Sequence, residues 1–364
     1  MEIQKAYFCK NLTFQVLVLK SHELYMQRCI DIALFSNGKN RPNPEVGSVI
    51  VHNGLIIGEG WHAEYGKAHA EVNAINSVKN KELLAESTIY VTLEPCFHFG
   101  KTPPCVDLIL THKIPEVVIG CTDPYHEVAG QSIQKLKDAG VKVTTGILAD
   151  KIERLNRRFF TNVRKNRPYI VLKYAVSADG FMGKDGQNIP ISGKISQKAV
   201  HRMRAEEAAI MVGTNTARVD NPRLDIRHSW GIPPIRVVLD RDLKLAKNLN
   251  LFDGSAHTIV FTSKKSEVEI DNVEFIQTDF YSENFISNIL KELHKKRICS
   301  VLIEGGKELL NSFIKVNLWD EAHIIKSTTV RLKDGIDAPQ IHPKFYVSSS
   351  KYENDNWEFY LNEA

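Results

Sequence analysis

The sequence predicts an α/β protein made of two successive α/β units. Three observations carry this expectation. β-rich runs alternate with runs of helical spacing on both sides of residue 166, and that alternation builds sheets covered by helices. The 364 residues suffice for two domains of ordinary size. Between the two runs lies an arginine-rich segment, Lys151–Arg167, which ends at Pro168 and reads as a solvated helix face. The resulting boundaries are a first unit over 21–165, a second over 166–364, and an N-terminal extension over 1–20.

Bulk properties narrow the function classes. The apolar fraction of 43% and charged fraction of 25% are those of a soluble globular chain. A net charge of +4, spread without long runs, is too weak to argue for a nucleic-acid partner. Six cysteines lie far apart and follow no secreted disulfide pattern, which favours a reduced, cytoplasmic compartment. The apolar run Phe14–Leu19 is too short to span a membrane, and no small-residue cleavage site follows it. Residues 1–20 read as an extra strand or a loose arm, and no membrane partner is expected.

The first unit opens with a helix capped by Ser21, with Leu24, Cys29, Ile32, Ala33 and Phe35 at apolar positions. Asn37-Gly38 ends it. The prolines of Arg41-Pro42-Asn43-Pro44 make a rigid loop. Val46–Val51 is a strand, Asn53-Gly54 a tight hairpin turn, and Leu55–Gly58 the return. A helix begins near His69. Thr88–Leu93 is a strand leading into Glu94-Pro95-Cys96, and Pro103-Pro104 starts a helix over Cys105–His112. Strand Glu116–Gly120, helix Gln131–Ala139 and strand Val141–Thr145 complete the unit.

His69-Ala70-Glu71, Pro95-Cys96 and Pro104-Cys105 form an ordered set. One imidazole and two thiols are the ligands of a catalytic zinc with an open fourth position. The order His-x-Glu, then Pro-Cys, then a further Cys is the signature of zinc deaminases. Glu71 would serve as proton carrier without binding the metal. Residues two apart on a helix point to nearly opposite sides, so His69 and Glu71 share a site only if it faces the helix's first turn end-on. A helix start also lowers the pKa of the Cys105 thiol.

The second unit opens with strand Tyr169–Ala175, which carries Lys173, and the turn Ser177-Ala178-Asp179-Gly180. Ser196 caps a helix through Ala208, followed by strands Ile210–Gly213, Ile235–Asp240, His257–Phe261 and Val301–Ile303. Helices cover Asn284–Lys296 and Gly306–Val316. Glu304-Gly305-Gly306-Lys307 joins a strand to a helix, where backbone N–H groups can approach a phosphate. It is not a G-x-G-x-x-G fingerprint, so a standard Rossmann dinucleotide site is not supported.

Asn43-Pro44-x-Val46-Gly47, His69-Ala70-Glu71, Glu94-Pro95-Cys96, Gly100-Lys101-Thr102-Pro103-Pro104-Cys105, Asp123-Pro124 and Val128-x-Gly130 together resemble one family. It is the bifunctional riboflavin-biosynthesis family, which fuses a diaminohydroxyphosphoribosylaminopyrimidine deaminase to a 5-amino-6-(5-phosphoribosylamino)uracil reductase. The long Cys-x8-Cys spacing separates it from cytidine and tRNA-adenosine deaminases. The resemblance implies a cytidine-deaminase-like first domain with zinc on His69, Cys96 and Cys105. It implies Glu71 as the proton carrier, and Asn43, His62 and Lys101 as contacts to the base and ribose phosphate. Departures are Phe97 and Phe99 for more polar residues, Tyr125-His126 for the usual pair after Pro124, Ser132 for glycine, and Ser48 for a frequent Cys.

Lys173-x3-Ser177-x-Asp179-Gly180, Arg204-Ala205, Gly213-x2-Thr216-x3-Asp220-Asn221-Pro222-x-Leu224-x2-Arg227 and Glu304-Gly305-Gly306 are similar to the reductase half. That half resembles dihydrofolate reductase and uses NADPH. The resemblance implies cofactor positions at Ala175, Pro190, Thr216, Asp220, Arg241, Gly305, Gly306 and Lys307. It implies substrate positions at Asn188, Arg204, Leu224 and Arg227, the two arginines gripping the substrate phosphate. Lys173 and Glu304 are its candidates for assisting sugar-ring opening or proton transfer. Pro190 stands where a Trp is usual and Arg241 where a Ser is usual. The segment Ser327–Pro339 lacks the usual Ala-Pro-Lys and glycine-rich form.

The function this implies is zinc-dependent deamination of a small phosphorylated pyrimidine, then NADPH-dependent reduction of its ribosyl group, in a homo-oligomer (dimer or tetramer). Two other readings stand beside it. One is a deaminase whose second half is a degenerate reductase acting as a nucleotide-binding module. The other is a nucleic-acid base deaminase, against which the Cys-x8-Cys loop and the lack of a basic face argue.

Overall fold

The computed structural model describes residues 21–97, 103–125, 129–227 and 229–362. The extension 1–20, Phe99, Lys101, His126 and Val128 lie outside the described residues. The chain divides into two compact units between Arg164 and Lys165.

In the first unit, helix α1 spans residues 21–33. Its core positions are Met26, Cys29, Ile30, Ile32 and Ala33. Leu24 and Phe35, expected inside, are 67% and 57% exposed. Leu24 lies off the buried stripe, and Phe35 falls in the 3-10 turn Leu34–Ser36, where helical spacing no longer holds. Asn37 then adopts φ 51° and ends the element. Strands β1 (Gly47–His52) and β2 (Leu55–Trp61) form a hairpin. Its two turn residues, Asn53 (φ 49°) and Gly54 (φ 78°), take the left-handed conformation such a turn demands.

Helix α2 (Ala70–Ser77), β3 (Thr88–Leu93), α3 (Cys105–Thr111), β4 (Glu116–Cys121), α4 (Gln131–Asp138), β5 (Lys142–Thr145), α5 (Ala149–Leu155) and α6 (Arg157–Lys165) follow. The sheet order is β2-β1-β3-β4-β5, antiparallel at β1 and parallel from β3 to β5. Alternation along the strands divides the core. Ile50, Ile89, Val91, Val117 and Ile119 pack against α2, α3 and α4. Val49, Val51, Tyr90 and Val118 pack against α1, α5 and α6. The result is three layers, helix–sheet–helix.

The second unit contains β6 (Tyr169–Val176), β7 (Phe181–Gly183), α7 (Lys194–Glu206), β8 (Ala209–Gly213), α8 (Thr214–Asp220), β9 (Ile235–Leu239), β10 (Thr258–Thr262) and β11 (Val273–Gln277). It continues with α9 (Phe285–Lys295), β12 (Ser300–Ile303), α10 (Lys307–Lys315), β13 (Glu321–Ser327), β14 (Ile336–Asp337), β15 (Tyr346–Tyr352) and β16 (Asp355–Leu361). The main sheet runs β11-β10-β9-β8-β12-β6-β13-β16-β15. Its first seven strands are parallel, and β16 and β15 close one edge antiparallel. Helices α9 and α10 cover one face. On the other, α8 contributes to the core around Val171, Ile210 and Val238, and α7 packs on Ile325 and Trp357.

The N-cap of α7 differs from expectation. Gly193 occupies it, and Ser196 lies inside the first turn. Asp355, from β16, does the capping: its Oδ2 accepts the Gly193 N–H at 2.8 Å and the Ser196 hydroxyl at 2.6 Å. A carboxylate brought from far along the chain thus satisfies groups that a local side chain usually serves.

Candidate functional site

A candidate metal centre is assembled at the C-terminal end of β3 and the starts of α2 and α3. His69 is the N-cap of α2, with extended backbone (φ −72°, ψ 165°). That conformation takes its ring off the helical spiral, so the ring and the first-turn Glu71 converge on the helix end. Cys96 follows β3 after Pro95, and Cys105 is the first residue of α3, with Pro104 as N-cap. The ligand atoms of His69, Cys96 and Cys105 all lie within 4.8 Å of one another. Cys105 Sγ is 3.4 Å from His69 Nδ1, and the Cys105 N–H donates to Cys96 Sγ at 3.2 Å.

The electrostatics of this trio fit a dication. The Cys105 thiol beside it, and then the His69 imidazole, pull the Cys96 thiol down to about 4. The same contact, with burial, pushes the Cys105 thiol up. The protein alone supports one thiolate next to one thiol. A divalent metal at their common centre is what makes two thiolates compatible. Glu71 is 3% exposed, and burial raises its carboxyl to about 7.

Asn43 and His62 stand beside this centre. Asn43 Nδ2 donates to His62 Nε2 at 3.0 Å, and His62 Nδ1 donates to the Ala68 carbonyl at 3.2 Å. Burial lowers the His62 imidazole, so the ring is neutral in this tautomer. It meets the His69 ring edge-on at 5.4 Å. Phe97 turns inward onto the core of the α2–α4 face, with Lys135 Nζ 5.3 Å from its ring. Tyr125 is half exposed and meets Phe159 edge-on.

In the second unit, strand register places Glu304, one residue past β12, level with Lys173 in β6. Lys173 Nζ bonds Glu304 Oε2 at 3.1 Å. Arg204, from α7, forks onto both Glu304 oxygens at 2.7 and 2.9 Å, and its Nη1 donates to the Asp225 carbonyl. The Glu304 carboxyl is buried, yet Lys173 and then Arg204 hold it well below the usual range. Glu304 and a backbone oxygen thus hold the Arg204 guanidinium in place through three of its five N–H groups. Arg227 is half exposed and bonds Asp225 Oδ1 at 2.6 Å. Leu224 is buried with φ 51°. Partial desolvation raises the carboxyl of Asp220, an exposed residue, with Lys173 opposing.

A cavity of about 800 Å³ opens beside the ends of β8 and β9 and the start of α10. Thr216, Arg241, Gly306 and Lys307 line it. A Cβ on Gly306 would stand 3.3 Å from Thr216 Oγ1, and one on Gly305 would clash with Leu309 at 2.6 Å. Glycine is required at 305 by that close approach. Arg241 pairs with Asp242 at 3.2 Å and lies 5.6 Å from the centre of the Tyr281 ring. Ala175 packs with Val200 and Trp357, and Asn188 and Pro190 are exposed. None of these three lines the cavity.

Comparison with known proteins gives the family. Residues 19–121 match the cytidine and deoxycytidylate deaminase zinc-binding region, and residues 168–329 match the RibD C-terminal domain. The riboflavin biosynthesis protein RibD of Aquifex aeolicus is 39% identical over 305 residues, spanning 81% of this chain and 84% of that protein. The chain belongs to the RibD family.

RibD of Bacillus amyloliquefaciens is 38% identical over 312 residues, 83% of each chain. Among solved structures, the Thermotoga maritima diaminohydroxyphosphoribosylaminopyrimidine deaminase/5-amino-6-(5-phosphoribosylamino)uracil reductase superposes with a TM-score of 0.85 at 36% identity. That match covers 94% of this chain and 99% of the other. RibD of Acinetobacter baumannii superposes equally well at 30% identity. As a RibD-family member the chain is a two-activity enzyme of riboflavin biosynthesis, a cytidine-deaminase-like unit followed by a reductase unit.

Within this RibD-family frame the structure draws the expected residues into three groups. His69, Glu71, Cys96, Cys105, Asn43 and His62 gather in the first unit. Lys173, Arg204 and Glu304 form a buried ion cluster, and Thr216, Arg241, Gly306 and Lys307 line the cavity. Sequence reasoning missed Asp225, which holds both Arg204 and Arg227, and Tyr281 under Arg241. The signal for Asp225 was its place between Leu224 and Arg227. Tyr281 had none, being 40 residues from its partner.

Proposed function

We propose that the first unit deaminates 2,5-diamino-6-ribosylamino-4(3H)-pyrimidinone 5′-phosphate and that the second reduces the ribosyl group of the product to ribityl with NADPH. The observation that carries this reading is the convergence of His69, Cys96 and Cys105 beside the buried Glu71. His69, Cys96 and Cys105 would hold a zinc ion there, which would make a water molecule acidic enough to serve as nucleophile. Glu71, with a carboxyl near 7, can take a proton from that water and return it to departing ammonia. Asn43 and neutral His62 present a hydrogen-bonding edge for the pyrimidine. Lys101, in the loop between the cysteines, is assigned to the phosphate as a point charge.

In the second unit we assign the cavity to NADPH, with Thr216, Gly306 and Lys307 at its phosphates. Bound there, NADPH would supply the hydride that reduces the ribosyl group. Lys173 and Glu304 stand together as the proton-handling pair. Asp220, Gly305, Ala175 and Pro190 are assigned to the cofactor side, and Asn188, Leu224 and Arg227 to the substrate. We also assign this enzyme to the cytoplasm as a dimer or tetramer. No helix among the described residues is long and apolar enough to cross a membrane.

Product analysis by mass spectrometry tests the whole reading. With the pyrimidine substrate alone, one amino group is expected to be exchanged for oxygen. With NADPH added, the product gains two hydrogens. No exchange removes the deaminase assignment, and no hydrogen gain with deaminated substrate and NADPH removes the reductase assignment. Arg241 gives a finer test. Its guanidinium suits the extra phosphate that distinguishes NADPH from NADH. Arg241→Ser is expected to weaken NADPH binding about tenfold, the weight of one half-exposed charged hydrogen bond, and to leave NADH binding unchanged. An equal effect on both cofactors ends that assignment.

A further inference from the structure

Glu94 has no part in the chemistry described above, yet it is a carboxylate only 5% exposed, two residues before a metal ligand. Its backbone N–H donates to the Cys121 carbonyl at 2.8 Å, which carries the β3–β4 pairing one residue beyond the strand. Among the described residues, its side chain then collects four donors. Oε2 accepts the N–H of Asp123 at 3.2 Å and of Gly130 at 2.9 Å. Oε1 accepts the Ser132 hydroxyl at 2.7 Å and the N–H of Ile133 at 3.4 Å. Gly130 is the N-cap of α4 and has no side chain with which to cap it. Glu94 serves the helix start instead, where the dipole favours an anion.

We propose that Glu94 is a positioning residue of the metal centre, the clamp that sets where Cys96 stands in the ligand triangle. Between the clamp and the ligand lies Pro95, whose ring fixes φ. The backbone freedom left is ψ of Glu94, ψ of Pro95 and φ of Cys96. With the Glu94 carboxylate held by α4 and Asp123 and its N–H by Cys121, only those three torsions separate a fixed point from the Cβ that carries the Cys96 sulfur. The inference rests on the zinc assignment. Partners that orient a ligand from behind are worth about 10–100-fold in metal affinity.

The test uses the full chain with Glu94→Gln. Glutamine keeps the shape but turns an NH₂ towards N–H donors. Two readouts are taken, the rate of zinc release to a chromophoric chelator and the visible spectrum of the cobalt(II)-loaded protein. A far-ultraviolet circular dichroism spectrum matching wild type, beside unchanged NADPH-dependent turnover of the deaminated substrate by the second unit, shows that both units are folded. Release is expected to be about 10–100-fold faster, with shifted cobalt–thiolate bands. Ser132→Ala, which removes only the 2.7 Å bond, is expected to shift both in the same direction by less.

The cobalt spectrum decides. Loss of stability with unshifted bands means that Glu94 only holds the fold, and the inference is overturned. If Glu94→Gln does not fold, unshifted bands in Ser132→Ala overturn it equally. Wild-type protein without cobalt–thiolate bands would remove the zinc assignment and this inference with it. Bands present in wild type and unchanged in the variants remove this inference alone.

Discussion

Glu71→Gln is expected to keep zinc at the wild-type level and to lower ammonia release by about 10²–10⁴-fold, the usual weight of a general acid–base group. Glutamine matches glutamate in shape, so the buried pocket at the start of α2 stays filled. Glu71 is not among the three converging ligands, so metal content has no reason to fall. What the variant loses is a group that can hold a proton in one step and release it in the next. Burial raises the carboxyl to about 7, where both states are accessible at neutral pH. Reduction of pre-deaminated substrate is expected to be unchanged. The decisive measurement is ammonia release beside metal content on the same preparation. Wild-type release, or loss of the metal, would sink the assigned role.

The second large effect is on stability. Glu304→Gln removes the anion shared by Lys173 and Arg204 and leaves two largely enclosed cations, 15% and 14% exposed, without it. Breaking such a cluster from one side costs about 3–5 kcal/mol. The loss is expected in the unfolding transition of the second unit, reported by the buried Trp319 and Trp357. The carboxyl is held below its ordinary value in the folded state, so its contribution is fully present above about pH 4.5, the unfolded value. It fades as pH falls through the folded value. The gap between wild type and variant should therefore stay constant from neutrality down to about pH 4.5 and narrow below it. Denaturant titrations at neutral and acid pH check both statements. A gap below about 1 kcal/mol at neutral pH would mean that the cluster behaves as an exposed ion pair.

The two units and most of their strands were legible because burial leaves a period. Val49, Ile50 and Val51 divide between two faces of a sheet, and a sequence records that division as alternation. Not every missed element lacked a burial signature: β13 and β16 carry buried positions and were still not read as strands. Every residue of β15 is exposed, so that strand left no apolar pattern. Strand β11 is only partly buried, and α8 is two turns long.

The metal centre stands at the other extreme. Its ligand types, their order and the flanking prolines are local properties of the chain, so His69, Cys96, Cys105 and the end-on place of Glu71 could be read directly. Contacts between distant residues could not. The Glu94 carboxylate meets partners 29 to 39 positions away. Glu304 meets Arg204 and Lys173 across 100 and 131 positions, and Asp355 caps α7 across 162. A hydrogen bond of this kind has no period and no motif spacing, because it depends on which strand lies beside which. Sequence alone determined the fold class, the two units and the His-Cys-Cys group that converges in the first of them. Tertiary structure alone decided that Arg204 is occupied by Glu304, that Phe97 turns into the core, and that Glu94 holds Cys96 in place. Those outcomes follow from packing and charge pairing between segments that meet only once the sheets are formed.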